Sequence, residues 1–177
     1  MNATAAASAA TNALEITTPS DRELVMKRVF DAPRRLVFDA LTKPELLRRW
    51  YGPRGWTLIA CEIDLRVGGR WHFVTRRDDG REMGQHGVYR EIAAPERLAN
   101  TEEWDDWPGA DLLATTVLTE EGGRTTLVNT LLFSSQEVRD ILIKSGMTRG
   151  AGETYDRLAE LLARADVQSR RSRRKGG

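Results

Sequence analysis

Two histidines, one cysteine and several strand-borne acids are the side chains in this sequence suited to proton transfer or metal binding. His86 lies between Gln85 and Gly87, and an imidazole titrating near neutrality suits general acid–base work. A hydrogen-bonded structural or surface position is the plainer reading of the same ring. His72 stands between Trp71 and Phe73, so strand alternation turns it away from the face those two share. Glu62, Asp64, Glu91, Glu102 and Glu103 fall in or near strands. One of them facing an interior would become a general base if burial raised its pKa. Pairing with arginine, or simple solvation, is the plainer reading, and a two-carboxylate mechanism needs a separation that sequence does not supply. Cys61 has no obvious partner and reads as a buried, inert thiol. One cysteine and two histidines exclude an internal disulfide and a Cys-rich zinc site. Gly68-Gly69 lacks the lysine and following helix of a phosphate loop and reads as a bend. With no nucleophile elbow, zinc spacing or dinucleotide fingerprint, no cofactor is expected.

The aromatic residues point to binding. Trp71 and Phe73 share one strand face and are bulky enough either to fill a core or to wall a pocket. Trp50, Tyr89 and Trp104 pose the same choice. Tyr and Trp each add one hydrogen-bond donor to a large apolar surface, which suits a mostly apolar pocket with few polar contacts.

These residues are positioned by a regular run of elements. Glu23–Phe30 alternates as a strand and stops at Asp31-Ala32-Pro33. Leu36, Val37, Ala40 and Leu41 recur at helical spacing. Thr42-Lys43-Pro44 breaks that helix, and Leu46, Leu47 and Trp50 give a second short one its apolar face. Strands follow over Trp56–Leu65, Arg70–Arg77, Glu82–Ile92, Arg97–Trp104, Leu112–Thr119 and Arg124–Phe133. Asp78-Asp79-Gly80 is a hairpin turn, because Gly accepts positive φ and Asp bonds the local backbone. Ser135–Ser145 forms a short helix. Met147, Ala151, Tyr155, Leu158, Leu162 and Ala165 then lie on one stripe of a helix of about 19 residues. Strands joined by tight turns pair antiparallel, and a curved sheet must bury one face. The terminal helix is its only long apolar partner, so the expected fold is α+β, with six or seven antiparallel strands wrapped around the last helix.

Size and charge bound the rest. The chain has 177 residues, enough for one domain with its own core. Its 40% hydrophobic and 30% charged content is globular, and no apolar run approaches the roughly 18 residues of a membrane span. The net charge of +1 is uneven, since the last eleven residues hold five bases and no acid. Residues 1–166 carry 22 bases against 26 acids, which argues against a nucleic-acid-binding face. Residues 1–20 read as a disordered leader, 21–166 as the domain and 167–177 as a disordered basic tail.

Several motifs resemble a known family in the right order. They are Val29-Phe30-Asp31-Ala32-Pro33, Val37-Phe38-Asp39-Ala40-Leu41-Thr42-Lys43-Pro44-Glu45 and Arg49-Trp50-Tyr51-Gly52-Pro53. Val67-Gly68-Gly69-Arg70-Trp71, Gly87-Val88-Tyr89-Arg90-Glu91-Ile92, Pro95-Glu96-Arg97-Leu98 and Thr101-Glu102-Glu103-Trp104 follow. Gly146-Met147 and Tyr155-Asp156-Arg157-Leu158 complete the set. Over residues 23–163 the chain resembles bacterial homologues of the activator of the heat-shock-protein-90 ATPase, within the START-like (SRPBCC, polyketide cyclase or Bet v-like) superfamily. The resemblance implies a helix-grip fold with a cavity between sheet and C-terminal helix, often for an apolar small molecule. Tyr51 stands where a second Trp is frequent and Thr75 where Met is frequent, so that cavity is expected to be more polar here.

The function expected is binding of a small apolar or aromatic molecule in that cavity. Trp50, Trp71, Phe73 and His86 are expected to line it, together with Tyr89, Trp104, Met147 and Tyr155. Two alternatives stand beside it: a cyclase- or hydrolase-type enzyme using a cavity His or carboxylate, and a chaperone-interacting protein. The expected setting is cytoplasmic, with neither nucleic acid nor membrane as partner; a homodimer is left open.

Overall fold

The computed structural model describes residues 12–175. Eight strands form one antiparallel sheet: β1 (Glu15–Thr17), β2 (Glu23–Phe30), β3 (Trp56–Ile63), β4 (Arg70–Arg77), β5 (Glu82–Ala93), β6 (Arg97–Trp104), β7 (Trp107–Glu121) and β8 (Arg124–Phe133). Their spatial order is β1-β2-β8-β7-β6-β5-β4-β3. Consecutive strands from β3 to β8 are neighbours, and the last strand returns to pair with β2. The sheet has one strand more than the upper expectation. Glu15–Thr17 adds an edge strand beside Val25–Lys27, within the segment expected to be a disordered leader. Residues 1–11 of that leader lie outside the described residues.

The helices are α1 (Arg34–Thr42), α2 (Pro44–Trp50), α3 (Gln136–Lys144) and α4 (Met147–Lys175). Pro44 opens α2, where its missing N–H costs nothing. Ser135 caps α3, its Oγ accepting the Val138 N–H at 3.1 Å. Gly146, at φ 92°, turns the chain into α4. That helix runs 29 residues instead of about 19, and the expected disordered tail continues it to Lys175.

One side of the sheet holds the core. Leu24, Met26, Arg28 and Phe30 alternate inward on β2, and Leu127, Leu131 and Phe133 do so on β8. Tyr155, Leu158, Leu161 and Leu162 of α4 are buried against them in one cluster. Leu158 retains no exposure, and burial of such a side chain contributes about 2–3 kcal/mol. This is the expected clasp of a curved sheet around the terminal helix.

Candidate functional site

Strand register decides which residues meet on the inward side. Ile63, Trp71, Gly87, Glu102, Leu112 and Phe133 fall in one row across six strands. The row beside it contains Cys61, Phe73, Gln85 and Trp104. Gly87 is the pivot. A Cβ there would stand 1.8 Å from the Thr101 carbonyl oxygen and 2.6 Å from Trp71 Nε1. Only glycine lets the Trp71 indole cross β5 and donate to the Thr101 carbonyl at 3.2 Å. Val88 N–H donates instead to Thr101 Oγ1, at 2.9 Å. Trp71 therefore reaches β6 beside Glu102.

Glu102 ends a short polar relay. Tyr51 Oη donates to Gln85 Oε1 at 2.9 Å, and Gln85 Nε2 donates to Glu102 Oε1 at 2.8 Å. Burial pushes the Glu102 carboxyl up to about 7, with no basic side chain opposing it. Tyr51 is held well above the usual phenol range, first by burial and then by the charge of Glu102. Tyr155 of α4 is pushed up to about 12 by burial, and its phenol is hydrogen-bonded to Asn129. Tyr51 is positioned from behind by α4, where Arg157 Nη1 faces the carbonyl oxygens of Tyr51, Gly52, Pro53 and Trp56 at 2.7 to 3.5 Å.

Around the relay the side chains are aromatic. Trp50 meets Tyr51 with ring centroids 5.7 Å apart, Tyr51 meets Phe73 at 5.0 Å, and Phe73 meets Trp71 at 4.9 Å. Glu102 and its inward neighbours Asn100, Thr116 and Asn129 are half-buried, although they lie near the middle of the sheet. Arg28, on the same face, is buried and bonded to Asp156 at 2.5 Å, while its Nε has no partner. The inward face thus carries an acidic and amide-bearing centre within its aromatic frame.

The sequence-derived residues divide accordingly. Trp71, Phe73, Tyr89 and Trp104 share the inward face with Glu102. Tyr155 approaches from α4, and Met147, at the start of that helix, is half-buried against the core. Trp50 is packed away at 3% exposure, its indole N–H donating to the Ala40 carbonyl at 2.9 Å. His86 is a correction. The β4–β5 register puts it opposite His72, on the solvent-facing side of the sheet.

That outer side has its own constellation. Glu62, His72, His86, Glu103 and Asp111 form a row across β3 to β7. Asp105 folds back over Gly84, where a Cβ would stand 1.9 Å from its Oδ2. Its two oxygens meet His72 Nε2 at 2.8 Å and His86 Nδ1 at 2.6 Å. Burial pushes this carboxyl up, but the bonds to His72 and His86 outweigh it and bring it below the usual range. Together with Trp71, Gly87, Thr101 and Glu102 at its border, these residues line an open cleft of about 770 Å³. Among the described residues, no group of three or more His, Cys, Asp or Glu side chains is arranged to hold a metal ion.

Sequence reasoning placed Glu102 in a strand but not in this relay, and it missed Gln85 and Asn129. The signal for Gln85 was present: it alternates with His86 and lies two residues from Gly87 and four from Tyr89.

Comparison with known proteins agrees with the fold. A protein of Rhodobacter sphaeroides is similar at 31% identity, with 85% of this chain and 98% of that one covered and a TM-score of 0.79. A Nitrosomonas europaea protein is similar at 26% identity, covering 85% and 99%, with a TM-score of 0.76. The AHSA1 protein of Silicibacter pomeroyi shares the fold at 22% identity, covering 80% and 97%, with a TM-score of 0.65. No curated protein matches the chain. No helix among the described residues is long and apolar enough to cross a membrane. Residues 31–163 match the family described as Activator of Hsp90 ATPase homolog 1-like protein, and the chain belongs to that family.

Proposed function

We propose that this protein binds a small, mostly apolar or aromatic molecule between the inward face of the sheet and α4. The supporting observation is the half-buried polar centre of that face, framed by Trp71, Phe73 and Tyr51. A core built only for stability gains nothing from a carboxyl without a cationic partner, since burying such a group costs free energy. A ligand with an apolar body and one polar group would satisfy both parts of the surface.

The test is a thermal-shift screen with uncharged and charged aromatic compounds, followed by titration of tryptophan fluorescence. A saturable rise in melting temperature with a matching fluorescence change is expected. No saturable binding across a broad panel sinks the reading.

A second reading is favoured by the same carboxyl. A Glu held at about 7 is matched to proton transfer near neutral pH, as an enzyme of the cyclase or hydrolase type requires. Turnover of a bound compound, lost in Glu102→Gln while binding persists, would establish it. The chaperone-related name of the family supports a third reading, tested by calorimetry against the purified chaperone.

A further inference from the structure

We infer that the ligand of the inward face is a cation, an amine on an aromatic or apolar body, whose ammonium group is received by Glu102 between the Trp71 and Trp104 indoles. This rests on the binding reading above and names the chemical class of its ligand.

The geometry begins at Gly87. Because Trp71 crosses that glycine to bond the Thr101 carbonyl, its indole lies next to the Glu102 position on β6. Trp104 pairs with the buried Gln85 of β5, so its side chain shares the inward face. Tyr51 and Phe73 close the frame through the contact of their rings at 5.0 Å. One Glu102 oxygen, Oε1, takes the Gln85 amide hydrogen. No hydrogen bond to the other oxygen is present among the described residues, and the residue is half-buried. A carboxylate with a vacant oxygen among aromatic faces recognises an ammonium group, through charge and through the ring quadrupoles. An anion would be repelled, and an uncharged apolar group would leave the acid unpaired.

Competing charges are accounted for. Arg28, the inward-facing guanidinium, is bound to Asp156 and lies three strands from Glu102 and six positions along the register from it. The other titratable groups on this side are Tyr51, Tyr89, Tyr155 and Cys61, all shifted toward their neutral forms by burial. His72, His86, Glu103 and Asp105 project from the opposite side of the sheet, lining an open cleft that Trp71, Gly87 and Glu102 also border. Entry of an ammonium ion therefore stabilises the charged form of Glu102. The carboxyl proton leaves to solvent, the ammonium keeps its own, and an ion pair remains.

The experiment uses the full chain and isosteric pairs, 2-phenylethylamine against propylbenzene and tryptamine against 3-propylindole, with 3-phenylpropanoate as the anion. At pH 8 the amines should bind at least about tenfold more tightly than their uncharged isosteres. The advantage should shrink toward pH 5.5. Calorimetry near pH 6 in two buffers of different ionisation enthalpy should show proton release with the amines only. Glu102→Gln should abolish the preference while hydrocarbon binding remains, and Trp104→Leu should weaken amines more than hydrocarbons. Equal affinities, or a preference that survives E102Q in a variant that still melts cooperatively, overturn the cation assignment and leave apolar binding standing. If neither class binds saturably, both readings fall.

Discussion

Glu102 carries a stability cost whose sign follows from its surroundings. Its ordinary value is 4.5, and burial raises it to about 7 in the folded chain. Between those values the folded state holds a proton that the unfolded state has released. Stability is therefore greatest below about pH 4.5 with respect to this group, falls as pH rises through 7, and is flat above. The shift corresponds to about 3 kcal/mol. Urea denaturation of Glu102→Gln from pH 5 to 8 should lack this decline, and the variant should exceed the parent at pH 8. A second residue-scale expectation concerns glycine. Gly87→Ala would drive a methyl into a backbone carbonyl and the Trp71 indole, at a cost of about 3 kcal/mol or more in chemical denaturation. Gly84→Ala meets the Asp105 side chain and no backbone atom among its nearest neighbours. It should cost less, and the Asp105 carboxyl should return toward its ordinary value, as carbon NMR titration would read. The role of Glu102 was hidden in the sequence because alternation gives a residue's face only once a register is known. Irregularities between Tyr89 and Glu91 and between Glu102 and Trp104 disturb that count. The position of His86 was legible. A β4–β5 hairpin centred on Asp79 places residues 72 and 86 opposite each other, and Trp71 and His86 then fall on different faces.

At the scale of elements, the last helix is held by two kinds of contact. Leu158 is sealed in the core, so Leu158→Ala should cost about 3 kcal/mol and lower the melting temperature. Arg157 acts differently, through the carbonyls of the segment between α2 and β3. Arg157→Ala should cost about 2 kcal/mol by leaving those carbonyls short of a donor. It should also broaden the Tyr51 ring signals in NMR spectra while those of Leu158 stay sharp. The apolar stripe from Met147 to Leu162 was legible because its spacing of three and four residues is a local property. β1 was not, because three residues with no turn signal become a strand only by pairing with Val25–Lys27. The extension of α4 to Lys175 was equally invisible, since no apolar residue follows Val167 to continue the stripe.

Across the whole molecule, charge and core occupy different parts of the chain. Leu162 is the last buried residue among the described side chains, whereas five of the 27 bases follow Asp166. A chain ending at Asp166 should melt within about 2 °C of the parent. Its formal charge should change from +1 to about −4, a shift visible by ion-exchange chromatography. The helix-grip architecture was legible because one curved sheet and one long amphipathic helix leave few other ways to hide apolar surface. The chemistry of its inward face was not, because that depends on which polar residues the register collects in the middle. The Arg157 contacts also tie the two sides of this space together. A guanidinium anchored to the carbonyls of Tyr51, Gly52, Pro53 and Trp56 acts as a tie-rod between helix and loop. Any occupant wide enough to lever α4 outward must either snap that rod or drag the Tyr51 ring away from Gln85, so swelling of the space and loosening of its acid would occur as one movement.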